Sequence, residues 1–282
     1  MSKLPFGADQ QSVYIAARRV LLDALTALAP HGKAVVLIGA QAVYLHAESA
    51  NLGVAAYTSD GDLGLDPEIL GDEPLLEEAM AGAGFSKGRD GHPGIWWKSQ
   101  LVGGQPTNIE VDLLVPQALS SGGRRTATIP PHHRRSVLRV PGIEVAMEDH
   151  EQRTIGSLEE SDDRSLDVEV AGVAALLVAK AFKLATRLDE GRPERLIDKD
   201  ASDVLGLMIA SDPTEISRRF AELLTSDRVG DVAAQGLQHL IAQFGARRSP
   251  GVEMAVRALE GVRDAAFIEA FAPTYMAQLR IA

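Results

Sequence analysis

The run "KAVVLIGA", residues 33–40, is the strongest constraint on how this chain folds. A short, wholly apolar, β-branched segment ending in glycine marks a buried strand that turns sharply at its end. Before it, Val13, Ile15, Ala16, Val20, Leu21, Ala24, Leu25 and Leu28 recur at helical spacing, and Pro30-His31-Gly32 ends the run. After it, "QAVYLHAE" reads as a helix. A buried strand between two helices needs partner strands, and the next segments supply them.

"GDLGLD" reads as a second strand, and "DEPLLEEAMAGAGF" as a helix with acids in its first turn and Gly82 and Gly84 at its end. "GIWWKSQL" and "TNIEVDLLVP" are strand-like runs separated by the turn "VGGQP", most simply an antiparallel pair. "SVLRV" and "IEVAM" read as two further short strands. The acidic stretch "EESDDRSLD", residues 159–167, reads as a linker, and from about Val168 onward the periodicity is helical, with Asp212-Pro213 and Ser249-Pro250 as punctuation. The fold class expected is α+β: a mixed sheet with packed helices over residues 1–166, followed by a helical domain over 167–282.

Composition narrows the chemistry. No cysteine is present, which excludes thiolate metal sites and cysteine nucleophiles and leaves oxygen or imidazole as metal ligands. A net charge of −11 argues against sequence-independent DNA binding, which rests on phosphate neutralisation. The N-terminal "MSKLPFGADQQ" has no signal-type apolar core, and the apolar run from Ala171 is broken by Lys180 and Lys183 before it spans a bilayer. A cytoplasmic protein without membrane contact is expected. One locally basic segment, residues 122–139, carries Arg124, Arg125, Arg134, Arg135 and Arg139 with His132 and His133. It reads either as a solvated loop or as a phosphate-contacting patch.

The acids carry the chemistry. Asp60 and Asp62 in "YTSDGDLGLD" lie two apart and share a strand face, while Glu110 and Asp112 alternate with Ile109, Val111 and Leu113. Asp-x-Asp by a glycine is commonly a turn motif. If the two strands are neighbours, Asp112 approaches the pair across the ladder, and carboxylates so crowded stay ionised only with a cation. All-oxygen ligands point to Mg²⁺ or Mn²⁺. Gly39, between strand and helix, is either a tight turn or a cradle where backbone N–H groups approach a polyphosphate. Lys180 and Lys183 lie on an apolar helix, where snorkelling at a core edge competes with a phosphate-binding role. Of Trp96 and Trp97, on opposite strand faces, one is expected in the core. The other either stacks on a base or covers the sheet. Asp66 reads as a cap or turn residue, His46 as a packing or capping residue, and His92, His132 and His133 lack metal-ligand spacing.

In this order, strand, glycine turn, helix, Asp-x-Asp strand and later a lone Asp, the chain resembles the DNA polymerase β-like nucleotidyltransferase superfamily. Within it, it looks most like bacterial nucleotidyltransferase toxins of the AbiEii and MenT type. The resemblance spans roughly residues 33 to 206 and rests on "VLIGAQAVYLHAE", "YTSDGDLGLD", "IEVDLLV", and "LLVAKAFKLATR" followed by "DKDASDVLGL". It implies a nucleotidyltransferase-like fold and Mg²⁺-dependent (or Mn²⁺-dependent) transfer of a nucleoside monophosphate from an NTP to an acceptor hydroxyl. The implied acceptor is a tRNA 3′ end or other RNA, in a toxin–antitoxin system with a cognate antitoxin protein. Antibiotic-modifying relatives imply a small-molecule acceptor instead. Carried over residue by residue, Asp60, Asp62 and Asp112 would hold the metal, with Asp112 as base. Gly39 and Ala40 would line the triphosphate, Thr58 would supply a hydroxyl beside the acids, Lys180 would reach a phosphate, and Asp200 would orient Lys180 or the nucleotide. Ala40 stands where the family usually has Gly or Ser, and "LDEGRPERL" lengthens the spacing between Arg187 and the second motif. The Ala40 departure sustains the alternative of a protein that senses nucleotide or binds a partner without turnover.

Overall fold

A computed structural model describes residues 8–50, 52, 57–88, 92–191 and 197–279. Part of the N-terminal "MSKLPFGADQQ" and much of "LDEGRPERL" lie outside the described residues. The chain is α+β, a mixed sheet with parallel and antiparallel strands followed by C-terminal helices. It divides into two compact units: Met1–Ala42, Ala55–Val140 and His150–Ala171 form one, and Val43–Val54, Pro141–Asp149 and Gly172–Ala282 form the other.

The first unit opens with α1 (Gln10–Leu28), whose first turn is capped by the Asp9 carboxylate accepting from the Ser12 N–H at 2.7 Å. There follow β1 (Val35–Ile38), α2 (Gly39–Ala47), whose residues from Val43 on count with the second unit, β2 (Asp60–Leu65), α3 (Leu76–Gly82), β3 (Ser86–Lys87), β4 (Ile95–Val102) and β5 (Gln105–Pro116). Then come β6 (Ser121–Gly122), β7 (Ala127–Thr128), β8 (Leu138–Val140), β9 (His150–Gly156) and β10 (Ser165–Ala171). The main sheet runs β3-β4-β5-β2-β1-β10-β9, with β8 beside the end of β5. β1 is parallel to β10, and β2 and β8 are parallel to β5; the remaining main-sheet pairs are antiparallel. All four residues of β1 are buried.

One face of β2, β5 and β4 packs on α1: Gly61 lies against Leu21, and Val111 and Trp96, in register beside it, are buried. Trp96 is the core member of the tryptophan pair, donating its indole N–H to the Ser136 carbonyl at 3.0 Å. Trp97, on the opposite face, donates to the Lys87 carbonyl at 3.1 Å.

Two local expectations are corrected. "IEVAM" is a buried 3₁₀ turn, Glu144–Met147, not a strand; the Glu144 carboxylate accepts from the Gly142 N–H at 2.7 Å and closes the turn. The acidic stretch 159–167 is no linker, because it forms the tip and first residues of the β9–β10 hairpin. Arg164 ties that tip down, pairing with Asp162 and with Asp23 of α1, each at 2.6 Å. The domain boundary expected between 166 and 167 falls inside β10.

The basic segment is more structured than a solvated loop. β6 and β7 form a hairpin, and Arg139 donates to the carbonyls of Gln117 and Gly123. His132 is buried, accepting from the Leu76 N–H at the start of α3 and contacting the Gly71 carbonyl at 3.0 Å. Arg124, Arg125, Arg134 and Arg135 are exposed.

In the second unit α4 (Val173–Asp189), α5 (Asp198–Ala210), α6 (Pro213–Leu224), α7 (Gly230–Phe244), α8 (Pro250–Ala258) and α9 (Ala265–Gln278) follow the helices expected. Asp149 anchors the start of α4, accepting from the Ala175 N–H at 2.8 Å and from Arg219 of α6 at 2.8 Å. Among the described residues, no helix is long and apolar enough to cross a membrane.

α4 and α7 pack closely at Gly236, where a Cβ would stand 2.5 Å from Val178 Cγ1 and 2.9 Å from Cγ2. Gly236→Ala gains about 1 kcal/mol in helix propensity, but overpacking of this kind costs about 1–3 kcal/mol. The substitution is expected to lower the urea midpoint. A raised midpoint would show that these helices have room to separate.

Candidate active site

The parallel pairing of β2 with β5 decides what the acids can do. Asp62 is in register with Asp112, and Asp60 with Glu110. Residues in register on adjacent strands share a face, as do residues two apart on one strand. Four carboxylates therefore project from one side of two strands, opposite the side that packs on α1. In-register pairs lie about 5 Å apart across the ladder, and i, i+2 neighbours about 7 Å apart along a strand. Asp60, Asp62 and Asp112 are half-buried and Glu110 is at the exposed end.

Glu110 was not among the candidate residues read from the sequence, although its alternation with Asp112 was visible. Loss of solvent around its carboxyl, and then the Asp60 charge, push its pKa up. Asp60 is oriented by Thr58, a buried residue whose Oγ1 donates to Asp60 Oδ1 at 2.5 Å.

The glycine at the end of β1 is required twice. Gly39 has φ +70°, a left-handed conformation that side chains rarely adopt, and a Cβ there would stand 1.9 Å from Asp62 Oδ2. The Asp62 carboxylate thus rests directly on the bare Gly39 α-carbon, at the start of α2. Ala40 follows, half-buried, with only a methyl group to offer.

Among the described residues, no three His, Asp or Glu side chains converge in metal-binding geometry. The donor set is oxygen only, four carboxylates in two in-register pairs, the ligand type that a hard divalent cation takes. Asp60, Asp62, Asp112 and Glu110 are the residues that would hold it.

Lys180 and Asp200 belong to the second unit, in a charge cluster of α4 and α5. The Lys180 ammonium is buried and donates to Asp200 Oδ1 at 2.9 Å and Asp203 Oδ2 at 2.6 Å. Lys183 approaches Asp200 at 3.3 Å and Lys199 approaches Asp203 at 3.3 Å; Arg187 also pairs with Asp200. Lys199 lies over the Tyr44 ring, 5.1 Å from its centroid. Four cations thus face two carboxylates, and two of the three Lys180 protons are already committed.

No family model matches the chain, no curated protein matches it, and no solved structure matches it.

The cluster predicts a pH dependence. Burial alone would push Asp200 up, but Lys180, Lys183 and Arg187 outweigh it and hold the carboxyl well below its usual range. Burial alone would likewise push Lys180 down, and Asp203 and Asp200 reverse it and hold the ammonium above the usual lysine range. A lowered carboxyl contributes stability above its unfolded pKa of about 4, lost as pH falls through the folded value. A raised lysine contributes below its unfolded pKa of about 10.4, lost as pH rises through the folded value. Urea unfolding should therefore show this contribution intact between about pH 5 and 10, with an acid limb that Asp200→Asn flattens. Lys180→Met, which removes the one buried cation that both carboxylates share, should cost about 3–5 kcal/mol at neutral pH. A cost under about 1 kcal/mol, the range of exposed pairs, would refute the buried assignment.

Proposed function

We propose that this protein is a Mg²⁺-dependent or Mn²⁺-dependent nucleotidyltransferase, moving a nucleoside monophosphate from an NTP to an acceptor hydroxyl with release of pyrophosphate. The observation that carries the reading is the convergence on Asp62: in register with Asp112 on one side, and resting on Gly39 at the start of α2 on the other.

Asp60, Asp62 and Asp112 would hold the cation, with Glu110 beside them. A divalent ion bound there supplies positive charge to phosphate oxygens and to the developing negative charge of transfer. The chain's own residues do the rest. Thr58 keeps the Asp60 carboxylate turned in one direction. The missing Cβ at Gly39 seats the Asp62 carboxylate against the start of α2, and the positive end of the α2 dipole favours negative charge there, that of a triphosphate beside Asp62 included. Asp112 lies on the same face to accept the proton of the attacking hydroxyl. Backbone groups would carry the phosphate contacts alone, because Ala40 brings no hydroxyl.

The acceptor we propose is RNA, a tRNA 3′ end in particular, in a cytoplasmic toxin–antitoxin setting with an antitoxin protein as partner. The exposed Arg124, Arg125 and Arg134 support that choice, since planar guanidinium groups suit phosphate backbones even on a protein of negative net charge. A second reading, nucleotide sensing without transfer, is favoured by Ala40 alone.

Incubation with each labelled NTP, Mg²⁺ and total RNA should give labelled RNA and pyrophosphate with the wild type. Asp60→Ala and Asp62→Ala should lower both by about 10²-fold or more, the scale expected when charge stabilisation is removed from a transferring group. Tight NTP binding without pyrophosphate release favours the sensing reading. Equal activity in the Asp62→Ala protein removes the acids from the mechanism altogether.

A further inference from the structure

β1 and β2 are antiparallel with Ile38 opposite Asp62 and Leu37 opposite Leu63, so the residue opposite Asp60 would be Ala40. By then the chain has left the sheet, because α2 begins at Gly39. Asp60 therefore starts its strand with β5 on one side and no continuation of β1 on the other. A side chain fills the gap: Gln41 Nε2 donates to the Asp60 carbonyl at 3.0 Å.

The Gln41 amide has two ends that look alike to packing and differ in hydrogen bonding. Its direction is set by Arg18 of α1, whose Nε donates to Gln41 Oε1 at 2.7 Å and leaves only the NH₂ end to face Asp60. Both residues are buried, Arg18 4% and Gln41 1% exposed. The remaining Arg18 donors go to the Gly156 carbonyl at 3.1 Å and the Tyr14 hydroxyl at 3.3 Å. Among the described residues, this buried guanidinium has no carboxylate partner. A charge buried against neutral acceptors is costly to folding, and a neutral residue would fill the same space more cheaply.

We infer that Arg18 and Gln41 are positioning residues for the acid site: the guanidinium turns the Gln41 amide, and the amide stands in for the missing ladder bond that fixes Asp60. The inference rests on the reading of Asp60 as a cation ligand. It extends that reading to two residues that touch neither metal nor substrate.

Gln41→Glu separates positioning from folding. Nearly isosteric, it gives Arg18 the carboxylate it lacks, yet it presents an acceptor in place of a donor to the Asp60 carbonyl. The Gln41→Glu protein should keep or raise its urea midpoint. Its Mn²⁺ affinity, read by the EPR signal of free Mn²⁺, and its NTP-dependent pyrophosphate release should fall about 10- to 100-fold, as when the support of a metal ligand is removed. Arg18→Met should lose both without a large fall in urea midpoint, since the buried charge goes together with the bonds it made, and Arg18→Lys, which keeps a donor for Gln41, should recover part of each activity. Wild-type Mn²⁺ affinity and turnover in a folded Gln41→Glu protein overturn this inference and leave the proposed function standing. A wild type that neither binds Mn²⁺ nor releases pyrophosphate overturns the proposed function, and this inference with it.

Discussion

Everything of functional interest in the first unit depends on the register in which β2 sits between β1 and β5. Antiparallel pairing to β1 sets Asp62 opposite Ile38, one residue from the glycine turn, and parallel pairing to β5 sets the same residue opposite Asp112. A one-residue slip of β2 would turn Asp60 and Asp62 into the α1 interface and bring Gly61 out onto the acid face. The apolar positions forbid that slip. Leu63, Leu65, Val111 and Leu113 are fully buried against the helices, and several such side chains at about 1.5–3 kcal/mol each outweigh any preference of the acids for one another. The core side of the sheet thus decides the geometry of its acid side.

The two units treat charge in opposite ways. In the second, Lys180, Asp200 and Asp203 are buried together and each charge has its opposite within 3 Å, so the cluster is a closed structural element. In the first, carboxylates are brought into register with carboxylates, Asp62 with Asp112 and Asp60 with Glu110. The raised proton affinity of Glu110, caused by lost solvent and then by Asp60, is the local sign of this pairing.

Much of this was legible in the residues because the signals were local. The apolar run of β1, the helical period of α1 and α4 to α9, and the alternation of Glu110 and Asp112 each state their own conformation. The segments misread are those where periodicity was absent or shared: "IEVAM" is buried on all sides as a 3₁₀ turn, and "HEQRTIG" and "SLDVEVA" are polar strands of a hairpin whose acidic tip imitates a linker. Glu110 was passed over because its partner, Asp60, is 50 positions earlier in the chain, and only strand order brings them side by side. Arg18 and Gln41 give no sequence signal at all. An arginine in an amphipathic helix and a glutamine at a helix start are ordinary until β1 is seen to end two residues short of facing Asp60.

That early ending is what makes a site possible at this place in the sheet. Inside a continuous ladder each backbone N–H and C=O is committed to a neighbour, and nothing is left to meet a ligand. β1 stops at Ile38, so the turn at Gly39 and Ala40 leaves the ladder, and the start of β2 loses its neighbour with it. Opening the sheet therefore creates two needs at once, a turn with room for backbone to approach a ligand and a substitute bond for Asp60. Gly39 meets the first by turning the chain at positive φ, and its missing Cβ makes room for the Asp62 carboxylate. Gln41 meets the second from two residues further along the same turn, held to the task by Arg18. Ala40 stands between them with no polar group. The glycine before it and the glutamine after it determine whether the turn and the acids face the same point. Ala40 is thus the residue of the turn that carries the least of its geometry.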